Sequence, residues 1–482
     1  MNYKMIAYLM GRMLGAEGVL LLFPCLVSFL YGEDVWPVFL IVAGLLLMLS
    51  LITSRKRPAD DVIYAKEGFL IVGLIWVIWS LFGALPFWLS GCIPNYVDAF
   101  FETVSGFTTT GATILEEIEA LPKGINFWRC LTHWVGGMGV LVFVMAIIPM
   151  GGEKRSMFLM RAEMPGPTCE KLVPKARTTA KILYGMYLAL SVLQVLLLLA
   201  GGMELYDAVI HTFSTAGTGG FSNRNNSIGY YDSAYIDGVI TVFMLLFGIN
   251  FNLYYLLLLG QFRSLFRNEE LKVYLGVVAG ATALITANIA HMYEGPLKAF
   301  RYAVFQVASI ITTTGFVTAD FDLWPQFSKC IILLLMVVGA CAGSTGGGMK
   351  VSRIILLFKT ISREVKQILH PQSVNIVKLD GKRVADESVH GIYVYVICYI
   401  LILAGSVLLV SVDNFDFGTN FSGVLTALNN VGPGINLVGP TQNFYKFSSF
   451  SKIVFSFDML IGRLEILPIL MLLAPQTWRK RF

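Results

Sequence analysis

The sequence predicts an all-α membrane protein that crosses a bilayer many times. Of its 482 residues, 56% are hydrophobic and only 14% are charged, too few polar side chains to cover a water-soluble surface. Apolar runs near the length of about 20 residues that crosses a bilayer recur along the whole chain. A short polar segment containing one critical glycine interrupts this apolar sequence four times. Together these observations predict four similar units around one axis, preceded by an extra pair of helices.

The first two apolar segments, residues 1–31 and 35–52, predict a transmembrane hairpin over residues 1–52. The first segment is too long for a signal peptide, and no small-residue cleavage site follows a short apolar core. The second segment begins directly after it. We therefore expect both helices to stay in the membrane.

The four polar segments share one pattern around the glycines at positions 111, 220, 315 and 432. Six residues before each glycine stands a hydroxyl side chain: Ser105, Ser214, Ser309 and Thr426. Glycine-bearing polar backbone is tolerated at membrane depth only where it is buried or lines a watery cavity. An ordinary turn between helices needs no such upstream hydroxyl, so the alignment favours four copies of one structure around a pore.

Each copy predicts a membrane helix, a half-length re-entrant helix, a polar loop and a second membrane helix. The repeats cover residues 66–150, 179–260, 271–359 and 388–474, with a linker at 360–387 and a basic tail at 475–482. The predicted short helices, too short to cross a bilayer, lie at 97–108, 206–217, 301–312 and 418–429. The second membrane helices are expected at 125–150, 236–260, 327–359 and 448–474. Two passes per repeat keep all repeats in one orientation, which permits a pseudo-fourfold pore rather than the inverted repeats of many carriers.

The charge distribution predicts the orientation in the membrane. Lys and Arg cluster at 55–57, 154–181, 263–272, 350–383 and 479–481. The positive-inside rule therefore places both termini and the linkers between repeats in the cytoplasm, with the glycine loops entering from outside. Carboxylates near those loops predict an outer mouth that concentrates cations, among them Asp98, Glu102, Asp207 and Glu116. The basic linkers predict a docking surface for a cytoplasmic partner, with anionic lipid as the alternative.

The loops have the composition of a filter for a dehydrated monovalent cation. Rings of backbone carbonyls replace the water around a potassium ion, and glycine adopts the backbone angles that aim them inward. Threonine hydroxyls add oxygen ligands, and the C-terminal dipoles of the short helices favour a cation. The seven cysteines have no spacing that indicates a soft-metal site or a disulfide framework. The predicted filter residues are Thr109, Thr110, Gly111, Thr218, Gly219, Gly220, Thr313, Thr314, Gly315, Asn430, Val431 and Gly432.

Two further features interrupt the membrane helices. The stretch GACAGSTGGG at 339–348 is expected to unwind its helix, because glycine costs up to about 1 kcal/mol there. Close packing of small residues is the alternative. Arg463 lies in an otherwise apolar helix, where an arginine faces a cavity or a partner unless it snorkels to the surface. Glu465 is expected to face away from Arg463 on the same helix and to pair with another helix.

These motifs resemble the Trk/Ktr/HKT superfamily of cation transporters, and within it the TrkH/TrkG potassium-uptake subunits. The similar stretches are GFTTTGAT at 106–113, HTFST at 211–215, GGFS at 219–222, SIITTTGF at 309–316, CAGSTGGG at 341–348 and GRLE at 462–465. The N-terminal hairpin is similar to that of the TrkH branch. The resemblance implies transport of K⁺, because glycine in all four loops accompanies potassium preference, whereas serine in the first accompanies sodium transport.

The resemblance also implies how transport is controlled and where. An intramembrane loop below the filter would obstruct conduction, at Gly343, Ser344, Thr345, Gly346, Gly347 and Gly348, with Arg463 beside it as an electrostatic barrier. The resemblance further implies a homodimer in the bacterial inner membrane and a cytosolic TrkA-like regulatory subunit that binds NAD, ATP or ADP. We expect this chain to bind neither nucleotide nor nucleic acid, since Met349 follows Gly348 where a P-loop needs GK[ST].

Other functions are less well supported by the sequence. A sodium-permeable or ion-coupled relative of the same superfamily is the alternative transport function. No HExxH, no GxSxG and no clustered intramembrane carboxylates indicate an enzyme. The five histidines have no metal-ligand spacing, so His133 and His211 are expected to be structural. Glycines 136, 137 and 139 are expected to pack helices.

Overall fold

The computed structural model describes residues 2–56, 58, 65–139, 176–373 and 375–475. Within these residues the chain is helical apart from one two-stranded hairpin, which confirms the predicted all-α membrane class. Six described segments are long and apolar enough to cross a membrane: Tyr3–Leu30, Trp36–Ser54, Glu67–Leu89, Thr178–Ala200, Glu269–Met292 and Asp386–Asp413. The predicted end of the first repeat at 140–150, most of the basic stretch 154–181 and the tail from 476 onward lie outside the described residues.

The described helices are numbered here in chain order. Up to residue 217 they are α1 (Tyr3–Leu20), α2 (Leu22–Leu30), α3 (Trp36–Ser54), α4 (Ala65–Gly83), α5 (Leu85–Leu89), α6 (Tyr96–Phe107), α7 (Lys123–Gly137), α8 (Ala176–Ala200) and α9 (Leu205–Gly217). They continue with α10 (Ala234–Phe247), α11 (Phe251–Leu258), α12 (Phe262–Arg267), α13 (Glu269–Ile289), α14 (Pro296–Ile311) and α15 (Gln326–Val338). The last are α16 (Val351–Leu369), α17 (Asp386–Val410), α18 (Phe417–Asn429), α19 (Ser449–Arg463) and α20 (Leu467–Leu473).

The two N-terminal spans pack tightly against each other. One face of α1 carries Gly11, Gly15 and Gly18, and these lie against α3 in antiparallel order. A Cβ atom added at Gly15 would stand 2.5 Å from the Ser50 hydroxyl, and one at Gly18 would stand 3.1 Å from the Ala43 carbonyl. Small residues let helix backbones approach closely in a membrane, where packing replaces the hydrophobic effect.

Four half-length helices, α6, α9, α14 and α18, lie between longer ones at the positions predicted for the re-entrant segments. Three of them begin within one residue of the prediction. The exception is α14, which begins at Pro296 rather than at residue 301. Gly295, with φ +113°, turns the chain there, and proline fits the first turn of a helix because that turn needs no amide donor.

The second membrane helix of repeat 2 is broken, so the prediction of a continuous helix over 236–260 is wrong. α10 ends at Phe247, and α11 leaves it at an angle of 90°. Asn250 caps α11 by accepting a hydrogen bond from the amide of Asn252 (2.9 Å). The backbone groups at this break are satisfied by a segment of repeat 3, which local sequence does not reveal.

The second helix of repeat 3 is interrupted as predicted at its glycines. α15 ends at Val338, Gly339 has φ +65°, and α16 begins at Val351. We call the segment between them the 339–350 loop. α16 continues ten residues beyond the predicted end at 359, into the predicted linker, which also contains the antiparallel hairpin β1 (Lys378–Leu379) and β2 (Lys382–Arg383).

The last long helix is also broken, so the prediction of a continuous helix over 448–474 is wrong. Arg463 is the last residue of α19, and the chain turns through Glu465 (φ +55°) and Ile466 (φ +70°) before α20. Pro468 lies in the first turn of α20, where proline is tolerated. Glu465 therefore belongs to the break, and its direction is not set by the helical spacing from Arg463.

Candidate functional site

All four half-length helices end in the same hydrogen-bonded motif. At the end of α6, the amide of Thr109 donates to the carbonyl of Gly106 (3.1 Å), and the amide of Thr110 donates to that of Ser105 (2.9 Å). These two bonds around a left-handed residue form a Schellman motif. Equivalent bonds of 2.8–3.3 Å end the other three helices: Thr218–Thr215 and Gly219–Ser214, Thr313–Ile310 and Thr314–Ser309, Asn430–Ala427 and Val431–Thr426. The position six before each glycine is thus the residue whose carbonyl closes the motif.

The left-handed residue carries a side chain in every copy. The φ angles are +55° at Thr109, +56° at Thr218, +57° at Thr313 and +55° at Asn430. A β-branched threonine rarely adopts this region, which costs a residue with a side chain about 1–2 kcal/mol. The same unfavourable angle in four separate loops indicates that the backbone path itself is required.

The four glycines meet in a closed ring. A Cβ atom added at Gly111 would strike the carbonyl of Gly219, and one at Gly220 would strike that of Thr314. One added at Gly315 would strike the carbonyl of Val431, and one at Gly432 would stand 2.7 Å from that of Thr110. Each contact joins the glycine of one loop to the residue that precedes the glycine of the next loop. The first loop thus contacts the second, the second the third, the third the fourth, and the fourth the first. The glycine φ angles, +79°, +81°, +79° and +99°, are equally alike.

Side-chain hydrogen bonds hold the ring from behind. The hydroxyls of Thr108 and Thr110 lie 2.8 Å apart, and those of Thr312 and Thr314 are also 2.8 Å apart. In the fourth loop the side-chain Nδ2 atom of Asn430 donates to the Thr110 hydroxyl (3.0 Å) and to the Met459 carbonyl (2.9 Å). Asparagine tolerates the left-handed region better than threonine does, and here it also links the fourth loop to the first.

The segments that follow the glycine loops form a second ring. The amide of Ile118 donates to Asn225 (2.9 Å), and that of Gly229 donates to Val317 (3.0 Å). Two further bonds close this ring: the backbone amide of Asn436 donates to the Asp322 carboxylate (2.9 Å), and that of Phe444 donates to the Thr113 carbonyl (2.8 Å). The two rings enclose a cavity of about 150 Å³ whose lining includes all four glycines.

The predicted acidic outer mouth is largely neutralised by ion pairs. Glu102 pairs with Arg129 (2.6 Å), and both side chains are buried. Asp98 pairs with Lys452 (2.8 Å), and Asp207 pairs with Arg224 (3.6 Å). Of the residues named in that prediction, Glu116 is exposed and lines the cavity. The prediction was incomplete because it considered the carboxylates without their partners: Arg129 and Arg224 lie in the same repeats as Glu102 and Asp207, whereas Lys452 comes from repeat 4.

The 339–350 loop lies directly beneath the glycine ring. The amide of Gly347 donates to the hydroxyl of Thr313 (2.7 Å). A Cβ atom added at Gly347 would stand 2.6 Å from the carbonyl of Asn429, and one at Gly346 would stand 3.1 Å from that of Thr312. Two of the predicted gate residues thus contact the ends of the half-length helices of repeats 3 and 4.

The break in repeat 2 holds the other side of this loop. The amide of Cys341 donates to the carbonyl of Gly248 (3.1 Å), and the hydroxyl of Thr345 donates to that of Phe247 (3.2 Å). In return, the amide of Phe251 donates to the carbonyl of Gly343 (3.0 Å). These bonds satisfy the backbone groups that the bend between α10 and α11 exposes.

Arg463 joins the same loop to two repeats. Its Nη1 atom donates to the carbonyl of Thr345 (2.8 Å), and its Nη2 atom donates to those of Gly136 and Gly137 (both 2.6 Å). The guanidinium therefore lies between the 339–350 loop and the end of α7. Snorkelling to the surface, the alternative reading of this residue, does not occur.

Sequence reasoning missed several charged residues around the loop. Lys350 is buried and donates to the carbonyls of Gly346 and Gly347. Arg353 forms an ion pair with Glu465, which shows that Glu465 does pair with another helix. Glu270, in the first turn of α13, accepts hydrogen bonds from the backbone amides of Ala342 in the loop and Ser352 at the start of α16. The available signal was the pair of cations, Lys350 and Arg353, that follows the glycine-rich break.

The histidines and the glycines of α7 support the ring. His133 bonds the carbonyl of Gly106 (2.7 Å) and stacks on Phe221, while His211 bonds the Ser222 hydroxyl (2.9 Å). A Cβ atom at Gly136 would strike the carbonyl of Phe107, and one at Gly137 would stand 2.5 Å from Gly217. This close contact with α6 and α9 agrees with the predicted packing role.

Comparisons with known proteins cover nearly the whole chain. A model of the TrkH family, described as a cation transport protein, matches residues 39–275 and 296–480. The Trk system potassium uptake protein TrkH of Salmonella typhimurium is 36% identical over 487 residues, which cover 100% of both chains. TrkG of Escherichia coli is 30% identical, and the match covers 99% of each chain. The crystal structure of the potassium transporter TrkH from Vibrio parahaemolyticus matches with a TM-score of 0.90 and 33% identity, covering 99% of this chain and 100% of that one.

Proposed function

The chain belongs to the TrkH family of cation transport proteins, and on this premise we propose that it conducts potassium ions through the ring of four glycine loops. The relatives named as potassium uptake proteins support potassium as the transported ion. The observation that carries the proposal is the closed ring in which each glycine meets the carbonyl before the next one. Side chains on these glycines would obstruct the ring.

The proposed filter uses the predicted residues of all four loops. Backbone carbonyls of Thr109, Thr110 and Gly111 and of their equivalents would replace the hydration shell of the ion. The C-terminal dipole of each half-length helix points toward this place, and four such dipoles favour a cation. Oxygen ligands suit potassium, and this role needs neither catalytic residues nor a nucleotide bound to this chain.

The 339–350 loop and Arg463 form the proposed gate. Support comes from the hydrogen bond that the backbone amide of Gly347 donates to the hydroxyl of Thr313 in the third glycine loop. Support also comes from the guanidinium of Arg463, a fixed positive charge that bonds the Thr345 carbonyl and opposes the passage of a cation. Opening would require the loop to leave Thr313 and Arg463 to leave Thr345.

The proposed setting is the inner membrane of a bacterium, with both termini in the cytoplasm. The positive clusters of the sequence support this orientation. We propose that the chain forms a homodimer and works with a cytosolic nucleotide-binding regulatory subunit of the TrkA type. The relatives carry the name of a Trk system, which implies further components.

Flux measurements test the proposal. The purified chain in liposomes is expected to take up potassium more readily than sodium, and to restore growth of cells that lack potassium uptake at limiting potassium. Gly220→Asp, which adds charge and volume inside the ring, is expected to abolish both. Equal uptake of the two ions would support the sodium-permeable alternative. No uptake either by the unmodified chain or by Arg463→Ala, in which the proposed gate is weakened, would refute an ion pathway through the ring.

A further inference from the structure

Glu270 connects the two ends of the 339–350 loop through one oxygen atom. Its Oε1 accepts hydrogen bonds from the amide of Ala342, near the start of the loop, at 2.8 Å and from that of Ser352, just after its end, at 2.9 Å. The residue is buried, with 5% of its surface exposed. A carboxylate that accepts two backbone bonds in a dry environment holds both donors in place.

The residues beside Glu270 are held by the hairpin between α16 and α17. Asp380, in its turn with φ +51°, accepts hydrogen bonds from the amide of Glu269 (2.7 Å) and from the side chain of Asn268 (2.9 Å). Lys359 of α16 pairs with Glu269 and donates to the carbonyl of Lys378 (2.8 Å). The start of α13 is therefore fixed by the hairpin on one side and holds the loop on the other.

We infer that Glu270 is a positioning residue that keeps the 339–350 loop beneath the glycine ring, and that the contact of Asp380 with residues 268–269 lets the 375–385 segment control it. This inference rests on the proposed function, because it assigns a route of regulation to the proposed gate. A shift of the hairpin moves the start of α13, and Glu270 then no longer reaches both amides. The loop is left with fewer bonds at its two ends, which favours opening.

The route also explains why the control point lies outside the membrane spans. The hairpin residues Lys378, Lys382 and Arg383 are exposed, so a binding partner can reach them without entering the bilayer. Glu270 itself is covered by the loop. A partner that moves the exposed hairpin can therefore change the buried loop through two connected contacts, Asp380 to the start of α13 and Glu270 to the loop.

Potassium flux through the full chain in liposomes tests the inference, without any partner. Glu270→Ala removes the acceptor and is expected to raise flux at least about tenfold, because bonds to a charged acceptor are among the stronger ones. Glu270→Gln keeps an oxygen acceptor and is expected to give a clearly smaller rise. Asp380→Ala is expected to raise flux as well, whereas Glu387→Ala, at an exposed residue in the first turn of α17, leaves it unchanged.

A double variant tests the order of the two contacts. Adding Asp380→Ala to Glu270→Ala is expected to give no further rise, since the hairpin acts through Glu270. The inference is overturned if the flux stays potassium-selective but neither Glu270→Ala nor Asp380→Ala raises it. It is also overturned if Glu270→Gln and Glu270→Ala raise the flux equally, or if the rises caused by Glu270→Ala and Asp380→Ala multiply in the double variant. If Glu270→Ala does not fold, the comparison of Asp380→Ala with the control Glu387→Ala decides. The inference then requires that Asp380→Ala raise the potassium flux and that Glu387→Ala leave it unchanged. Absence of potassium-selective flux both in the unmodified chain and in Arg463→Ala would instead refute the proposed function.

Discussion

The guanidinium of Arg463 donates a hydrogen bond of 2.8 Å to the backbone carbonyl of Thr345. Through this bond, the end of α19 in repeat 4 contacts the 339–350 loop of repeat 3. The same guanidinium reaches Gly136 and Gly137 at the end of α7 in repeat 1. Since Thr345 also bonds Phe247 in repeat 2, the loop and Arg463 together touch all four repeats. Movement of the loop thus affects every quarter of the molecule.

Replacing Arg463 by alanine is expected to open the pathway. Arg463→Ala removes three bonds from a charged donor and the positive charge that opposes a cation, so potassium flux in liposomes is expected to rise at least about tenfold. Arg463→Lys keeps the charge but not the forked donor, and an intermediate rise is expected. The exposed Arg267→Ala serves as control. Flux equal to that of the unmodified chain in Arg463→Ala would rule out its role in the gate.

The first glycine of the ring is expected to tolerate no side chain. Gly111→Ala adds a Cβ atom against the carbonyl of Gly219 as well as an unfavourable backbone angle at φ +79°. We expect loss of selectivity for potassium over sodium. Gly91→Ala is the matched control, because φ is +74° there and nothing lies within 4 Å of the added atom. It isolates the backbone cost of about 1–2 kcal/mol, so reduced selectivity in both variants would contradict the steric account.

The buried pair of Glu102 and Arg129 is expected to stabilise the wall of the first loop. Glu102 also accepts bonds from the Thr113 hydroxyl (2.9 Å) and the Ile114 amide (3.0 Å). Glu102→Gln leaves the charge of Arg129 without its partner, which typically costs about 3–5 kcal/mol at a buried site. The midpoint of thermal unfolding in detergent is expected to fall clearly. The exposed Glu119→Gln should leave it unchanged, and a fall of the same size there would show that the effect is general.

Asp416 is expected to stabilise the start of α18 in a pH-dependent way. Its carboxylate accepts from the hydroxyl and amide of Thr419, and the hydroxyl bond chiefly holds the pKa of Asp416 below its ordinary value. Because the folded-state pKa is lowered, the stabilisation is complete above the unfolded value of about 3.9 and is lost as pH falls through the folded value. Asp416→Ala should cost about 1 kcal/mol at pH 7, typical of a lost helix cap.

The contribution of the Asp416 carboxylate to stability is measured by thermal unfolding from pH 7 to pH 3. The unmodified chain is compared with the Asp416→Ala variant. The difference between the two midpoints is expected to be constant above pH 5 and to shrink below pH 4. A difference that persists unchanged to pH 3 would show that the ionised carboxylate is not the cap.

Much of the fold follows from short-range sequence patterns. The four half-length helices were predictable because their apolar length is too short to cross a bilayer and their glycine loops recur with the same upstream hydroxyl. The interruption at 339–350 was predictable because so many glycines weaken a helix. The alignment on the upstream hydroxyl also identified the ring glycine of each loop. In the second loop it selected Gly220 rather than Gly219, and Gly220 is the one with a left-handed backbone angle.

Most of the features that were missed depend on contacts between distant segments. The bend at Phe247 forms because its backbone groups bond to Cys341, Gly343 and Thr345 of another repeat. The break after Arg463 uses left-handed angles at Glu465 and Ile466; Pro468 was a local signal for a helix start that the prediction of a continuous helix overlooked. The partner of Asp98 at the mouth, Lys452, lies in another repeat, hundreds of residues away in sequence. Local patterns carry no information on such pairs.

The reversal potential of the purified chain in a planar bilayer, with potassium on one side and sodium on the other, tests the central claim most directly. If the four glycine loops form one potassium-selective ring, the potential lies close to the potassium equilibrium value, and Gly111→Ala moves it toward zero while Gly91→Ala does not. A potential near zero in the unmodified chain, or one that Gly111→Ala leaves unchanged, would contradict the claim.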